Sequence, residues 1–263
     1  MIAAPTQQDR AAWHGTRIGR FTASRFGALM TQPRSKADRD AGKCGAVAMA
    51  YITAKAVERL TGVPMDDGED KGFAARRGLL LEPAALHILN KVWRQCDPCT
   101  WQAYGDNLGS TPDALVDNGK ATMDLKCPAN PVDVVRFADE VIDGDFDTLL
   151  GWDTMYAWQI MVQALTTGCG TAHLVYFTDR LPVYKLDHDE LHEAQTLIDQ
   201  RAEQYSQESI YPWSYTYASD GYYYAAKTFT LTDEIAKQIT DKLERCEAEC
   251  VNIMHKIKAL LNQ

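Results

Sequence analysis

The strongest local signal in this 263-residue chain is a hairpin turn at residues 117–120, with the sequence Asp-Asn-Gly-Lys. Asn-Gly is the preferred central pair of a two-residue type I′ turn, which joins two antiparallel strands. In that geometry residues whose numbers sum to 237 lie opposite each other, so Asp113 faces Asp124. Opposed side chains have Cβ atoms about 5 Å apart, and two like charges there are unfavourable without a cation between them. The hairpin therefore predicts a site for a divalent cation.

The residues after Asp124 supply the second part of the predicted site. Side chains alternate along a strand, so Asp124 and Lys126 share a face while Leu125 points into the core. Phosphodiester cleavage needs an activated water, a stabilised developing charge and a neutralised leaving oxygen. Metal ions provide the first and the last of these, and Lys126 can orient or deprotonate the water or stabilise the charge. Because Asp-x-Lys pairs are also common as weak surface ion pairs, this motif alone is not specific.

A third carboxylate, Glu82, lies in a helix predicted over residues 73 to 93. The positions around it are apolar, with Leu, Ile or Ala at 79, 80, 81, 84, 85, 86, 88 and 89, so we expect the helix to be largely buried. An ionised carboxylate buried in such surroundings costs several kcal/mol. Glu82 must therefore lie at the rim of the helix, meet a cation or bind a metal.

The rest of the pattern predicts a mixed α/β fold with a central mixed β-sheet flanked by helices. Further helices are predicted over residues 22–31, 45–61, 152–167 and 188–205. Short strands are predicted between residues 100 and 128, and two more near residues 172–177 and 182–186. Residues 206–229 are rich in Tyr and Trp and look like a loop. Packing or an interface is the default interpretation of these aromatic residues, and stacking on nucleobases is the alternative.

Residues 230–263 are predicted to form one long helix capped by Thr230 or Thr232. Its apolar residues recur every three or four positions from Ile235 to Leu260 and resemble a coiled-coil seam. This stripe can bind a partner or pack on its own domain, and the sequence leaves both open. The predicted organisation is a catalytic domain over 1–205, an aromatic connecting segment over 206–229 and a C-terminal helical appendage over 230–263.

Composition limits the environment and the partners of the chain. Seven scattered cysteines fit reduced thiols better than a disulfide framework. The start lacks the pattern of a signal peptide and no long apolar run occurs, so we expect a cytosolic protein without a membrane segment.

The net charge of −9 argues against a general nucleic-acid binder. Residues 10–43, however, carry eight Lys and Arg against two Asp, as in a protein that binds phosphate locally or in a solvated helix.

Four sequence blocks are together more specific than any single signal. They are Trp13–Ser24, Gly78–Glu82, Ser110–Leu115 with Asp124–Pro128, and Tyr156–Gln159. In order and spacing, over about residues 10 to 200, they resemble the lambda-type (YqaJ-like) phage exonucleases of the PD-(D/E)XK nuclease superfamily. The match is lost beyond residue 205. The resemblance implies a restriction-endonuclease-like core.

The resemblance also implies roles for individual residues. The implied magnesium site is formed by Asp113, Asp124, the Leu125 carbonyl and Glu82. Lys126 and Gln159 are implied to position the attacking water. Asp124 replaces the commoner glutamate, which the motif allows. Magnesium is thus the expected cofactor, with manganese able to substitute.

A pocket for the terminal 5′-phosphate of the degraded strand is implied at a second set of positions. Arg17 and Ser24 fall where the lambda-type enzymes hold this phosphate, and Thr111 takes the place of a serine while keeping the hydroxyl. A second pocket arginine, expected shortly after the lysine motif, is replaced here by Val132. Arg136 is a possible substitute, displaced by four residues. The departure weakens the expected preference for a 5′-phosphate.

The implied activity is 5′ to 3′ digestion of one strand of linear duplex DNA, which releases mononucleotides and leaves a 3′ single strand. That product would serve a single-strand annealing recombinase in phage-type homologous recombination. The family forms a ring-shaped homotrimer threaded by DNA, in which basic patches could line the channel. The implied source is a phage or prophage in the cytoplasm of a bacterial host.

Several alternatives belong to other classes. Cys96 and Cys99 lack the second ligand pair that zinc needs, and the other cysteines are too dispersed for us to expect an iron–sulfur cluster. No phosphate-binding loop of the GxxxxGK[ST] type occurs, so we expect no ATP hydrolysis. A restriction-type or structure-specific endonuclease is the nearer rival. A non-catalytic scaffold that binds DNA ends is disfavoured because the acidic residues and the lysine are all present.

Overall fold

The computed structural model describes residues 15–65, 73–179, 189, 192–193, 196–200 and 223–261. The strands are β1 (Phe21–Thr22), β2 (Cys96–Pro98), β3 (Gln102–Tyr104), β4 (Leu108–Ser110), β5 (Ala114–Val116), β6 (Ala121–Lys126), β7 (Thr171–Thr178) and β8 (Tyr223–Thr230). The helices are α1 (Ala23–Leu29), α2 (Lys36–Asp40), α3 (Ala46–Thr61), α4 (Phe73–Val92), α5 (Val132–Glu140), α6 (Phe146–Trp152), α7 (Thr154–Thr167) and α8 (Asp233–Leu261). The strand predicted at residues 182–186 lies outside the described residues, as does most of the helix predicted at 188–205.

Two sheets form in the described part of the chain. The larger has the order β2-β5-β6-β7-β8 and is antiparallel except for the parallel pair β6 and β7. The smaller has the order β1-β4-β3, with β1 parallel and β3 antiparallel to β4. The predicted α/β fold with a mixed sheet and flanking helices is confirmed.

The larger sheet is covered on both faces, and β7 shows how. Its side chains alternate between two apolar clusters: Leu174 and Tyr176 pack with residues of α1, α3, α7 and α8, whereas Val175 and Phe177 pack with residues of α4. Strands buried on both faces are largely apolar, as this one is from Leu174 to Phe177. The parallel pairing of β6 and β7 requires a crossover, and α5, α6 and α7 supply it. The crossover brings α7 onto the face of β6 that carries Asp124.

The hairpin register is confirmed, but its turn differs from the prediction. Ala114 lies opposite Met123, so the residue numbers sum to 237 as expected. The turn is not a two-residue type I′ turn, because the Lys120 N–H donates to the Val116 carbonyl at 3.0 Å. Positive φ angles occur at three consecutive residues: 52° at Asp117, 60° at Asn118 and 82° at Gly119.

The wider turn has a local cause at Asp117. Its N–H donates to the Gln95 carbonyl at 3.1 Å, and its carboxylate accepts from Arg94 Nη1 at 2.5 Å. These contacts draw Asp117 toward the chain before β2 and out of the β5–β6 ladder. Asp and Asn tolerate the left-handed region better than other non-glycine residues, so the turn can widen without a change of register.

The C-terminal part of the aromatic segment is a strand rather than a loop. β8 pairs antiparallel with β7, with Tyr223 opposite Thr178 and Thr230 opposite Thr171. Odd-numbered residues such as Phe229 face the α7 side of the sheet and even-numbered residues face the α4 side, which is the alternation that defines a strand. The concentration of tyrosines obscured this period in the sequence. The remaining aromatic residues of 206–222 lie outside the described residues.

Helix α8 packs on the fold of its own chain. Thr232 caps it, since Thr232 Oγ1 accepts from the Ile235 N–H at 3.2 Å. Its stripe is buried against α3 and the main apolar cluster at Ile235, Ile239, Cys246 and Cys250. Beyond this region the helix continues to Leu261, which is exposed. Among the described residues no helix is both long and apolar enough to span a membrane.

Candidate active site

Asp124 and Lys126 lie side by side at the end of β6. Lys126 Nζ is 2.6 Å from Asp124 Oδ2, and Leu125 between them is buried in the opposite apolar cluster. This is the predicted arrangement, in which alternation places the two charged residues on one face. Asp124 is 1% exposed and Lys126 is half-buried. Water therefore has almost no access to Asp124 but reaches part of Lys126.

Helix α7 supplies two amide groups to the same carboxylate. Gln159 Nε2 lies 2.5 Å and Gln163 Nε2 lies 2.8 Å from Asp124 Oδ1. They are four residues apart, so they project from the same face of the helix. Asp153 caps this helix by accepting from the Tyr156 N–H at 2.9 Å. Gln159 is predicted from the sequence and Gln163 is not, although its spacing of four residues from Gln159 places it on the same face.

A further contact of Lys126 is with an aromatic ring. Its Nζ lies 4.3 Å from the centroid of the Tyr156 ring, within the range of a cation–π interaction. Burial opposes the charge of Lys126, but the nearby carboxylates of Asp124 and Asp113 outweigh it, and the pKa of Lys126 is raised. The lysine is therefore protonated near neutral pH. In that state it can donate hydrogen bonds and stabilise negative charge.

Asp113 approaches β6 in a different way from the one expected. The paired register ends with Ala114 opposite Met123, and the Asp113 N–H donates to the Met123 carbonyl at 3.0 Å. Asp113 thus lies beyond the ladder instead of directly opposite Asp124. The preceding Pro112 has no N–H and cannot continue the pairing. The Asp113 carboxylate reaches across the end of the hairpin and accepts from the Leu125 N–H at 2.6 Å.

Glu82 completes a cluster of three carboxylates. It is half-buried on α4, next to the fully buried Leu81 and Ala84, so it lies at the helix rim, which is one of the three alternatives that the sequence left open. Burial raises the pKa of Asp113 well above its usual value, and the negative charges of Glu82 and Asp124 raise it further. The three acidic residues are therefore close enough to interact electrostatically.

The oxygen atoms of this cluster fit a divalent cation in part. As the side chains stand, no three Asp, Glu, His or Cys side chains among the described residues are already arranged around a metal position. Two features fit a cation. Asp124 Oδ2 is buried and makes no hydrogen bond, although Lys126 Nζ is close. The repulsion that raises the pKa of Asp113 is the kind that a bound cation relieves.

Two of the predicted phosphate-binding residues, Ser24 and Thr111, follow neighbouring strands of the smaller sheet. β1 runs parallel to β4, with Thr22 opposite Gly109. Because the two strands are parallel, both end at the same edge of the sheet. Ser24 lies two residues after Thr22, and Thr111 lies two residues after Gly109. Ser24 is exposed and its Oγ lies 3.3 Å from Thr22 Oγ1, whereas Thr111 is half-buried. The fold thus brings Ser24 and Thr111 to one edge.

Arg17 precedes β1, and the two residues linked to the missing arginine, Val132 and Arg136, lie on α5. Arg17 is half-buried in a turn closed by the Arg20 N–H, which donates to the Arg17 carbonyl at 3.0 Å. Val132 begins α5 and is 53% exposed. Arg136 pairs with Glu140 on the surface of the same helix, with Nε to Oε1 at 3.0 Å. This pairing engages Arg136 with its own helix.

A buried arginine behind the cluster was not anticipated. Arg77 is fully buried, and its Nη1 donates to the Pro128 carbonyl at 2.8 Å. Its Nη2 donates to Asp179, which is also buried. Arg77 thereby ties the helix that carries Glu82 to the chain just beyond β6 and β7. Its place five residues before Glu82 in an apolar helix was the only signal in the sequence.

Comparisons with known proteins give matches in structure alone. No protein-family model and no curated protein matches this sequence. The crystal structure of an alkaline exonuclease (LHK-Exo) from Laribacter hongkongensis is 18% identical with a TM-score of 0.62, covering 96% of this chain and 98% of that chain. The complex of LHK-Exo with dAMP gives 19% identity, a TM-score of 0.61 and the same coverage.

A second protein gives a similar result. A phage-related exonuclease from Haemophilus somnus is 17% identical with a TM-score of 0.60, covering 90% of this chain and 96% of that chain. The similarity therefore extends into the C-terminal region, where the sequence blocks end. The chain has the fold of these exonucleases over nearly its whole length.

Proposed function

We propose that this protein is a magnesium-dependent exonuclease that degrades one strand of linear duplex DNA in the 5′ to 3′ direction. The observation that carries the proposal is the packing of Asp124 against Lys126 and Gln159, with Asp113 and Glu82 close by. The cluster lies in a fold shared with solved exonucleases. The products are mononucleotides and a 3′ single strand, which an annealing recombinase uses in phage-type recombination.

Asp113, Asp124, the Leu125 carbonyl and Glu82 would hold the metal. Magnesium, or manganese in its place, activates the attacking water and neutralises the leaving oxygen when bound. Lys126 donates to an oxygen of the scissile phosphate and stabilises the charge that develops there. Gln159 and Gln163 hold Asp124 in one orientation by donating to Oδ1. Tyr156 limits the positions open to the Lys126 ammonium group.

The DNA end is recognised by Arg17, Ser24 and Thr111, which bind the terminal 5′-phosphate. The shared edge reached by Ser24 and Thr111 supports this part of the proposal. Because Val132 stands where a second arginine is expected, the preference for a 5′-phosphate is moderate. Loss of one charged contact of this kind corresponds to roughly 1.5 to 3 kcal/mol of binding free energy.

The assembly is proposed to be a homotrimeric ring that works in the cytoplasm of a bacterial host. The basic segment of residues 10–43 then faces the DNA, while the acidic remainder of the chain faces outward. This division explains how a chain with a net charge of −9 can stay on DNA. Sedimentation of the free protein and of its DNA complex tests the trimer.

The central experiment is digestion of linear duplex DNA with a labelled 5′ end, in magnesium, in manganese or in EDTA. Asp113→Ala and Lys126→Ala are compared with the wild type. The matched controls are Asp106→Ala and Lys120→Ala, because both residues are exposed on loops next to the same strands. We expect metal-dependent release of 5′ mononucleotides, reduced at least about 100-fold in the two site variants and unchanged in the controls.

Closed circular DNA and end-binding assays distinguish the rivals. Cleavage of closed circles would indicate an endonuclease. Site variants that digest DNA as fast as the wild type would remove the catalytic assignment. Tight binding of ends by a wild type that digests nothing in any metal would indicate a non-catalytic scaffold.

A further inference from the structure

Helix α3 holds the turn that carries Arg17 by binding the backbone of Gly19. The Gly19 N–H donates to Glu58 Oε2 at 2.7 Å in a buried position. The Gly19 carbonyl accepts from Arg59 Nε at 2.6 Å. Glu58 is in turn held by the buried Lys55, whose Nζ lies 2.8 and 2.9 Å from its two oxygens. Both backbone polar groups of Gly19, its N–H and its carbonyl, are therefore bound by adjacent residues of α3.

The conformation of Gly19 makes this contact specific. Its φ is +70°, a region that other residues adopt only with strain. A Cβ at this position would lie 2.5 Å from Arg59 Cγ, so the arginine packs directly on the glycine. With the Arg20 N–H bound to the Arg17 carbonyl, the turn has little freedom to change shape. Arg17 lies two residues before this fixed peptide.

The other end of Arg59 is bound by the C-terminal helix. Nη1 donates to Glu247 Oε2 at 2.7 Å and Nη2 to Glu247 Oε1 at 2.6 Å, a two-pronged ion pair across 188 residues of sequence. The side chains are only 18% and 17% exposed. Two-pronged pairs of this kind fix the plane of the guanidinium group. Glu247 therefore determines where Arg59 Nε points, and with it the position of the Gly19 carbonyl.

We propose that Glu247 of α8 is a positioning residue for the DNA-end pocket, acting through Arg59 and Gly19 to orient Arg17 toward a terminal 5′-phosphate. The inference rests on the proposed function, because it needs Arg17 to bind that phosphate. It gives the C-terminal helix a role in the choice of DNA end. The inference predicts a change in the binding of the DNA end and no change in the rate of the cleavage step.

The test compares initial rates on duplex DNA with a 5′-phosphate and with a 5′-hydroxyl, over a range of DNA concentrations. Glu247→Ala is compared with Glu244→Ala, an exposed acidic residue one turn earlier on the same helix. We expect Glu247→Ala to raise KM for 5′-phosphorylated DNA about three- to tenfold, which corresponds to roughly 0.7 to 1.4 kcal/mol, with kcat unchanged. Glu247→Gln, which retains one acceptor, recovers part of the loss, and Glu244→Ala behaves as the wild type.

A double variant separates positioning from general stability. Arg17→Ala removes the preference for 5′-phosphate, and adding Glu247→Ala to it causes no further loss of discrimination. Equal losses on both kinds of end, or additive losses in the double variant, would overturn the inference. A wild type that digests both ends equally would overturn the phosphate pocket together with this inference. It would leave the nuclease proposal intact, since that proposal is tested by Lys126→Ala.

Discussion

Gln163 Nε2 lies 2.8 Å from Asp124 Oδ1, on the buried side of the helix that also presents Gln159 to the same oxygen. Gln163 is 1% exposed, whereas Gln159 is half-buried. The two amides therefore differ in what they can reach. Gln159 is accessible from the open side of the site, and Gln163 acts only on the carboxylate.

Replacement of Gln163 by leucine should reduce nuclease activity without unfolding the protein. Leucine fills a similar volume, but Asp124 loses one of its two amide donors. The size of the effect follows from the proposed metal site, because loss of a group that orients a metal ligand reduces activity by about 10- to 100-fold. The measurement is the rate of DNA digestion. Gln238→Leu, at an exposed position of α8, is the control. A wild-type rate in Gln163→Leu would contradict this role.

Tyr156 should act through its ring and not through its hydroxyl. Lys126 Nζ lies over the ring at 4.3 Å. Tyr156→Phe keeps the ring and should retain activity within about twofold, whereas Tyr156→Leu should lose about five- to tenfold. Tyr104→Leu, at an exposed tyrosine on β3, is the control. Equal loss in the phenylalanine and leucine variants would point to the hydroxyl instead.

The buried pair of Arg77 and Asp179 should be important for stability. Both residues are almost fully buried, so Arg77→Met leaves a carboxylate without its charged partner. We expect a loss of about 3 to 5 kcal/mol in the free energy of unfolding, measured by urea denaturation. The exposed pair of Arg94 and Asp117 is the control, because Arg94→Met should cost at most about 1 kcal/mol. Similar losses in the two variants would show that burial does not govern the contribution.

His173 should make the protein less stable in mild acid. Burial, assisted by the positive charge of Arg94, lowers the pKa of His173 from 6.5 to about 4. Below pH 6.5 the unfolded chain binds a proton at this residue and the folded chain does not, so stability falls as the pH falls. The decline runs from about pH 6.5 to about pH 4 and amounts to at most about 3 kcal/mol.

The His173 contribution can be isolated by substitution. Thermal unfolding between pH 4 and pH 8 should depend less on pH in His173→Gln than in the wild type. His255→Gln, at an exposed position of α8, should leave the pH profile unchanged. If the His173→Gln profile matched that of the wild type, another group would be responsible.

The parts of the site that the sequence predicts are those governed by local periodicity. The two-residue period of β6 places Asp124 and Lys126 together, and the helical period around Glu82 places it at a rim. Gln163 lies one helical turn after Gln159, a spacing that places it on the same face, but its role as a donor becomes apparent only when its partner Asp124 is known. Arg77 has a role only through contacts about 50 and 100 residues away, with Pro128 and Asp179.

The two wrong predictions about the fold, the type of turn and the loop at residues 223–229, have similar causes. At Asp117, contacts with Arg94 and Gln95 outweigh the preference of Asn-Gly for a two-residue turn. At Tyr223–Thr230 the strand forms because β7 offers an edge, which no residue of β8 reveals on its own. Local sequence preference predicts an element correctly when the residues of that element determine its conformation. It fails where a distant segment supplies the pairing.

The parallel pairing of β6 with β7 also fixes when the site can exist during synthesis. Asp124 precedes its amide partners by 35 and 39 positions. The ribosome therefore adds the carboxylate and the lysine before either glutamine. The crossover, of which α7 is the last helix, must close before α7 docks on β6, and such non-local closure is slow compared with local folding. An incomplete chain thus lacks the assembled centre, which delays the proposed activity until synthesis has passed α7.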